Sequence, residues 1–370
     1  MHKKSNFYII AVITLLIAGC KGKTTPATAD TIYSESLAYS IKPKGPAPAW
    51  APNMKPQMQA VIEKLQSYGD QPIETLGPGR ARKNHTPADA VKDLLKENHI
   101  AIPAYPVDTT GKDIPAAWGT IHLRIYTPKI GKGPFPVIVY YHGGGFVIAG
   151  INAYDASASI LAEKVGAIVV SVGYRLAPQY KFPYAHNDAF QAYEWVLKNA
   201  PVINGDPTKI AVAGESAGGN LAMTTAIKAR DKKIKPPTAI VAIYPVAGAD
   251  MNTPSYQKYA DAIPLNKPMM VWFVKKYLSK PAEAKDPLIN LVADDLTGLP
   301  PTILITAEID PLQAEGLKLV DKLKADGVTV YSKNYNGVTH EFFGMGAVVP
   351  EAKDAELFAT DMLKKAFGMK

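Results

Sequence analysis

Short continuous runs of apolar, mostly β-branched residues recur along the chain from about residue 119, and helical stretches lie between most of them. After a half-exposed strand over 121–126, these strand-like runs are at 137–141, 167–172, 210–213, 239–244, 302–306 and 328–331. Strands that are apolar on both faces have to be covered on both faces, as in parallel sheets whose strands are linked by helices. The sequence therefore predicts an α/β fold with a mostly parallel central sheet flanked by helices.

Two stretches outside this alternation are predicted to be helical. Apolar residues over 54–68 fall on one helical face, and Thr86-Pro87-Ala88-Asp89 is typical of the capping box that begins a second amphipathic helix. Residues 250–297 contain no clear strand and interrupt the sheet late in the chain. Because open α/β sheets bind ligands beyond the carboxyl ends of their strands, we expect this insertion to cover that edge.

The first twenty residues have the layout of a secretion signal. Residues 2–4 are basic, and residues 7–17 form an apolar run that is short for a membrane span but typical of a signal sequence. Ile17-Ala18-Gly19-Cys20 resembles a bacterial lipobox, so we predict that residues 1–19 are a lipoprotein signal peptide and that Cys20 is lipidated. A simple signal peptide or an uncleaved anchor is the alternative.

The predicted lipid determines the predicted location. Acyl chains on Cys20 would hold the protein on a membrane, and Lys21 after the cysteine is similar to sequences sent to an outer membrane. We therefore expect the chain in the bacterial cell envelope, anchored to the outer membrane and facing the periplasm or the exterior. Residues 21–52 are rich in Thr, Ala, Pro and Lys without an apolar period, and this predicts a flexible tether over 20–52.

The formal net charge of +8 does not indicate a nucleic-acid partner. Only five of the 41 basic residues are arginine, and no basic run is interleaved with aromatic residues. Lysines scattered among acidic residues are typical of a solvated surface, so no nucleic-acid binding is expected.

The stretch Gly214-Glu215-Ser216-Ala217-Gly218 lies between the strand-like run at 210–213 and a helical segment. This is G-x-S-x-G in the strand–turn–helix context that a nucleophile elbow requires, and small residues flank the serine because the turn leaves little room. Such a turn directs the serine oxygen out of the sheet, near the positive end of the following helix. The pattern predicts Ser216 as a nucleophile.

A serine nucleophile on this arrangement needs an acid and then a histidine further along the chain. Of seven histidines, only His340 follows Ser216, and it lies in a loop after the last strand-like run. His340 is therefore the predicted base. The acid has to lie just past a strand end, where it orients the imidazole. Glu308 and Asp310 both meet this condition, and the residues alone prefer neither.

Tyr141-His142-Gly143-Gly144-Gly145-Phe146 follows another strand-like run. Three glycines offer unhindered backbone amides to a developing oxyanion, together with the amide of Ala217 after the nucleophile. A tight turn is the alternative for the glycines, and we expect Gly143 to serve only the turn. No partner with metal-ligand spacing accompanies His142, so neither a metal nor a cofactor is expected, and His142 is predicted to brace the loop.

Four separated segments together resemble the hormone-sensitive-lipase family of esterases (bacterial family IV), which has the α/β-hydrolase fold. These segments are YHGGGF at 141–146, YRLAP at 174–178, GESAGGN at 214–220, and the D-P-L that starts at Asp310 with His340 after it. The resemblance implies that Asp310 is the acid of the triad. It also implies an oxyanion hole made by Gly144, Gly145 and Ala217.

The resemblance further implies a helical cap, built from N-terminal helices over 53–100 and an insertion at about 250–290 of a hydrolase domain that spans 101–370. The chain departs from the commonest family pattern at three positions, none of them in the triad: Glu215, Gln179 and Glu341 stand where Asp, Glu and Gly are common.

The predicted function is hydrolysis of a small-molecule, short-chain acyl ester through an acyl-enzyme, without a cofactor. Phe146, Met269, Trp272 and Phe273 are candidates for the substrate pocket. Amide or peptide hydrolysis by the same triad and a non-catalytic binding protein on the same scaffold are the alternatives. The sequence leaves the natural substrate and the oligomeric state open.

Overall fold

The structure is a computed structural model that describes residues 36–117 and 119–369. Within these residues eight strands form one sheet, in the order β1-β2-β4-β3-β5-β6-β7-β8. The strands are β1 (Val107–Ala116), β2 (Gly119–Pro128), β3 (Phe135–Tyr141), β4 (Ile168–Gly173), β5 (Gly205–Glu215), β6 (Ile240–Ile243), β7 (Thr302–Ile309) and β8 (Val330–Thr339). Only the β1–β2 and β2–β4 pairs are antiparallel, and every other neighbouring pair is parallel. The predicted α/β fold with a mostly parallel sheet is confirmed.

Helices cover both faces of this sheet, and apolar side chains of the central strands alternate between two cores. On β3, Val137, Val139 and Tyr141 belong to one core, and Ile138 and Tyr140 belong to the other. The α-helices are α1 (Pro56–Ser67), α2 (Pro78–Ala81), α3 (Pro87–Glu97), α4 (Asp155–Val165), α5 (Tyr184–Asn199), α6 (Ala217–Asp231), α7 (Pro254–Lys258), α8 (Lys267–Tyr277), α9 (Gln313–Ala325) and α10 (Pro350–Ala366).

The sequence pattern predicted β2 to β8 but missed β1. Only Ile114 of β1 is buried, and most of its other residues are exposed. An edge strand with one covered position has no continuous apolar run, so the signal that predicts buried strands is absent there. The capping box at the start of α3 is confirmed, because the Thr86 side chain accepts from the Asp89 amide and Asp89 accepts from the Thr86 amide.

The N-terminal predictions fall partly outside the described residues. The signal peptide over 1–19, Cys20 and the first part of the tether lie there. Residues 36–52, the rest of the predicted tether, instead pack against the globule: Ala38, Ile41 and Ala51 are buried. Few apolar residues hold this segment, and they have no period, so its sequence does not reveal the packing. Among the residues described, no helix has the length and apolar character needed to cross a membrane.

Four parallel strands end at one edge of the sheet and carry the predicted chemistry. The glycine loop follows β3, Ser216 follows β5, Asp310 follows β7, and His340 follows β8. Because parallel strands bring their carboxyl ends to the same edge, residues far apart in the chain meet there.

Candidate active site

Ser216 occupies a strained turn between β5 and α6. Its φ of +56° and ψ of −117° place a non-glycine residue in a region that side chains rarely adopt. The flanking glycines make the turn possible, since a Cβ on Gly214 would lie 2.2 Å from the Gly218 carbonyl oxygen. A Cβ on Gly218 would lie 1.9 Å from the Tyr141 carbonyl oxygen. The G-x-S-x-G pattern thus reflects close backbone packing on both sides of the serine.

Ser216, His340 and Asp310 form a continuous chain of hydrogen bonds. His340 Nε2 lies 2.9 Å from Ser216 Oγ, and His340 Nδ1 lies 2.7 Å from Asp310 Oδ2. The other carboxylate oxygen of Asp310 accepts from the Leu312 amide at 2.8 Å, which fixes the carboxylate. All three of these side chains are buried.

Glu308, the other acid that the sequence left open, has a different set of partners. Its carboxylate accepts from Asn53 Nδ2 and from the Gly337 amide, each at 2.8 Å. These bonds tie the end of β7 to β8 and to the N-terminal segment. The structure therefore places Asp310, and not Glu308, against the imidazole.

The surroundings of His340 have opposing effects on its pKa. Burial lowers the pKa of the imidazole, whereas Asp310 raises it by charge and by hydrogen bonding, and Glu341 and Glu215 raise it further. The net result is a pKa above the usual value for histidine. An imidazole in this setting holds a proton at higher pH than an unperturbed histidine does.

The glycine loop presents free amides beside the serine. Gly144 and Gly145 have φ of +97° and +58°, and a Cβ on either would lie 2.3 Å from a neighbouring atom, the Ile148 carbonyl oxygen and Phe273 Cδ1 respectively. Within residues 36–117 and 119–369, neither amide has a hydrogen-bond acceptor in the protein. Both residues line the cavity above Ser216, and Ala217 begins α6 directly after it.

Gly143 is required for a reason other than the expected turn. It does not have a positive φ, but a Cβ there would lie 2.3 Å from the hydroxyl of Tyr154. A side chain at position 143 would therefore displace this tyrosine, and the Glu215 carbonyl oxygen 3.1 Å away leaves little room on the other side.

His142 braces the loop from behind. Its ring stacks on Tyr174 with centroids 4.2 Å apart, and its Nδ1 lies 2.7 Å from the Gly143 carbonyl oxygen. Burial lowers the pKa of His142 to about 4, so the ring is neutral at physiological pH. In the part of the chain that the structure describes, no group of three or more acidic, histidine or cysteine residues is arranged to hold a metal ion.

A cavity of about 500 Å³ opens onto Ser216 and His340. Of the four predicted pocket residues, Met269 and Phe273 line it, whereas Phe146 and Trp272 do not. Phe146 stacks on Tyr277 with ring centroids 4.2 Å apart, and Trp272 Nε1 donates to the Leu76 carbonyl oxygen at 3.2 Å. The prediction for these two residues is corrected, because large aromatics beside the site serve to pack its walls.

Much of the cavity wall was missed by sequence reasoning. The wall includes residues from 65–88 in the N-terminal segment, 262–265 in the insertion, and 343–345 after the histidine. No motif marks these residues, since lining depends on which side of a helix or loop faces the sheet edge. The helical periodicity of 54–68 and the capping box at Thr86 were the available signals.

Hydrogen bonds join the insertion at about 250–290 to the elements beneath it, at its start and at its end. Ser255 Oγ on α7 donates to the Pro311 carbonyl oxygen at 2.6 Å, next to the acid. At the end of α8, the Tyr277 hydroxyl lies 2.8 Å from His186 Nδ1, and His186 Nε2 lies 2.9 Å from Asn220 Oδ1 on the helix that follows Ser216.

Comparisons with known proteins agree with this fold. A family model described as alpha/beta hydrolase fold matches residues 138–344. Carboxylesterase NlhH of Mycobacterium tuberculosis is 37% identical over 291 residues, which cover 78% of this chain and 88% of that protein. Ethyl acetate hydrolase of Pseudomonas putida is 33% identical over 250 residues, covering 66% and 79%.

A solved structure extends the match in three dimensions. The esterase of Pyrobaculum calidifontis is similar with a TM-score of 0.74 at 37% identity, covering 81% of this chain and 97% of the esterase. The chain belongs to the α/β-hydrolase family.

Proposed function

We propose that this chain is a serine carboxylesterase in which Ser216 is the nucleophile, His340 the general base and Asp310 the carboxylate that orients the imidazole. The observation that carries the proposal is the Ser216–His340–Asp310 hydrogen-bond chain, with contacts of 2.9 and 2.7 Å, at the floor of a cavity. Relatives named as carboxylesterase and ethyl acetate hydrolase support ester hydrolysis as the reaction class.

The proposed reaction proceeds in two halves. Ser216 Oγ attacks the ester carbonyl carbon while His340 Nε2 takes its proton, and Asp310 stabilises the resulting imidazolium. His340 then gives the proton to the departing alcohol, leaving an acyl-enzyme. Water, deprotonated by the same imidazole, attacks the acyl carbon; the bond to Ser216 Oγ then breaks, the imidazolium returns its proton to Oγ, and the acid is released.

The amides of Gly144, Gly145 and Ala217 are the proposed oxyanion hole. Donors that point to where charge develops stabilise the transition state, and a single donor typically contributes about 10²–10³ in rate. The positive φ values of Gly144 and Gly145 and their lack of protein acceptors among the described residues support this role. The start of α6 adds a favourable helix dipole at Ala217.

We further propose that the acyl group is short. The walls beside Ser216 include Ile148, Met269 and Phe273, which suit an apolar group. The printed name of the Pseudomonas putida relative, ethyl acetate hydrolase, also supports a small acyl group.

Labelling and a substrate panel test the proposed function. We expect a fluorophosphonate to label the wild-type protein and not Ser216→Ala, and we expect p-nitrophenyl acetate and butyrate to be cleaved faster than the matched anilides. Absence of label on the wild type would contradict catalysis and favour a binding protein. Faster cleavage of the anilides would contradict the esterase assignment.

A separate proposal concerns the N-terminus: the chain is a bacterial lipoprotein, anchored through Cys20 in the cell envelope. It rests on the basic, apolar and lipobox-like segments of residues 1–20. Growth of an expressing bacterium with an alkyne-labelled fatty acid should label the wild type and leave Cys20→Ser unlabelled. Equal labelling of the two proteins would contradict it.

A further inference from the structure

Two departures from the family pattern meet beside the triad. Glu215 precedes Ser216 and Glu341 follows His340, although 126 positions separate the two acids in the chain. Glu215 is fully buried, and the hydroxyls of Tyr140 and Tyr244 both donate to it. The ring of Tyr244 in turn packs 4.6 Å from the His340 ring, measured between centroids.

Glu341 has a partner of its own. It lines the cavity at the turn after β8, with a φ of +66°, and its Oε1 accepts from the Tyr154 hydroxyl at 2.5 Å. A non-glycine residue persists in this conformation only where surrounding contacts offset the backbone strain. The hydrogen bond from Tyr154 is one such contact.

Tyr154 reaches the oxyanion loop with the same hydroxyl. It ends the short 3₁₀ turn Ile151–Tyr154, and its hydroxyl lies where a Cβ of Gly143 would be only 2.3 Å away. Its ring also lies beside His142, with centroids 6.0 Å apart. One hydroxyl group therefore contacts both the turn after His340 and the loop that contains Gly144 and Gly145.

We propose that Glu341 and Tyr154 are positioning residues: their hydrogen bond ties the turn that carries the base to the loop that carries the oxyanion donors. The nucleophile is held separately, by the strained turn between β5 and α6. The tie therefore aligns the two other parts of the site with each other. This inference rests on the proposed function, because it assigns a purpose to the alignment of His340 with the oxyanion loop.

The charge of Glu341 allows the proposed link to be tested, because it affects the pKa of His340 and therefore the pH–rate profile. The groups that face His340 are Asp310, Glu341 and Glu215, together with the ring of Tyr244. After the opposing effect of burial, Asp310 contributes most to the raised pKa of the imidazole, and Glu341 and then Glu215 add to it. Burial raises the pKa of both glutamates, that of Glu215 to about 8, while the charge of His340 and the hydrogen bond from Tyr154 oppose this rise at Glu341. Of the two, Glu341 contributes more to the raised pKa of the imidazole, so its replacement is the test of this charge.

The test is a double-mutant cycle of Tyr154→Phe and Glu341→Gln. Tyr154→Phe should lower kcat about tenfold with KM nearly unchanged, since the hydrogen bond is lost, and Glu341→Gln should lower it less, since the amide oxygen still accepts from Tyr154 but carries no charge. The double variant should be no slower than Tyr154→Phe, because that change already removes the hydrogen bond that Glu341→Gln weakens. Glu341→Gln should also move the acid limb of the rate profile to lower pH, whereas Tyr154→Phe retains the charge.

Tyr193→Phe is the matched control. It removes another buried hydroxyl, which donates to the Lys235 carbonyl oxygen at 2.8 Å, away from the cavity. This variant should retain wild-type kcat and pH profile. If Tyr154→Phe does not fold, Glu341→Gln alone tests the proposal through its kcat and acid limb.

Two outcomes would overturn the inference. The first is that the losses of kcat in the two single variants add in the double variant. The second is that Glu341→Gln does not move the acid limb of the pH–rate profile. Labelling of Ser216 by a fluorophosphonate, followed across pH, reports on His340 without an ester. A protein that labels normally but cleaves no ester would contradict the proposed function. The same double-mutant cycle, with the rate of labelling as its readout, would still test the link between Glu341 and Tyr154.

Discussion

Gly145 combines two constraints that only glycine satisfies. Its φ is +58°, and an added Cβ would come within 2.3 Å of Phe273 Cδ1 on α8. Gly145→Ala should therefore displace a proposed oxyanion donor and lower kcat by about 10²–10³ with a small change in KM. Steady-state kinetics on p-nitrophenyl butyrate provide the measurement.

Gly150→Ala is the control for this substitution. Gly150 lies five residues further along the same loop, and a Cβ there would meet nothing within 4 Å. We expect it to keep wild-type kinetics. Equal rates for Gly145→Ala and Gly150→Ala would remove Gly145 from the oxyanion hole.

The protonation of His340 should set the lower limb of the pH–rate profile. The base has to be neutral to accept the serine proton, so kcat/KM should fall as the pH falls through the raised pKa of His340. Asp310→Asn removes the largest influence that raises this pKa. We expect it to shift the limb to lower pH and to reduce the rate about 10⁴-fold. A limb that stays in place in Asp310→Asn would show that another group controls it.

At the scale of elements, the short helix α2 bears directly on the oxyanion loop. Arg82, which follows α2, donates from Nε to the Val147 carbonyl oxygen at 2.8 Å and from Nη2 to the Ala177 carbonyl oxygen at 2.7 Å. These bonds hold the residues that follow Gly145. Arg82→Gln should loosen the loop and lower kcat about tenfold.

The neighbouring arginine offers a matched comparison for that prediction. Arg80 lies on α2 with an exposed side chain. Arg80→Gln should leave kcat unchanged, and the melting temperature of both variants checks that each is folded. A wild-type kcat in folded Arg82→Gln would contradict the link between the N-terminal segment and the loop.

The elements also show why some features could be predicted from the sequence and others could not. Strands such as β3 and β5 are apolar on both faces and easily found, whereas the exposed β1 carries no such signal. Ser216 and His340 could be predicted because chain order and strand ends restrict them. The roles of Phe146 and Trp272 depend on which way each ring points within a packed wall, and helical spacing does not determine that.

The same limit explains Glu215 and Glu341. Each was visible as an unusual residue beside a motif, but only the folded chain brings Tyr154 and Tyr244 to them. A contact between residues 187 positions apart, as for Tyr154 and Glu341, leaves no local pattern.

For the whole molecule, buried carboxyl groups determine how stability changes with pH. Burial raises the pKa of Glu315 to about 8 and that of Glu356 to about 7. A group whose pKa is raised by folding stabilises fully below its unfolded pKa, and this contribution is lost as the pH rises through the folded value. We therefore expect these groups to lower the free energy of unfolding as the pH rises from about 4.5, near the ordinary pKa of glutamate, to about 8.

Denaturant unfolding at several pH values measures this slope. Glu315→Gln cannot ionise, so its stability should fall less over the same pH interval than that of the wild type. The buried histidines oppose this slope below about pH 6.5, because burial lowers the pKa of His142 to about 4 and that of His186 to about 3, so only the unfolded chain protonates them there. The comparison with Glu315→Gln isolates the carboxyl, since both proteins keep these histidines. Parallel slopes for wild type and Glu315→Gln would contradict the assignment.

The hydrogen bonds at the two ends of the insertion affect how substrate enters the site and how product leaves it. Ser255 is bonded beside the acid, and Tyr277 is bonded through His186 to the helix behind the nucleophile. Swinging this wall outward would pull on the acid and the nucleophile helix together. The cavity wall also includes Asp70, Gln71 and Pro72, which lie in the exposed bend at 69–72, so we expect esters and alcohols to exchange with solvent there without a hinged movement of the insertion.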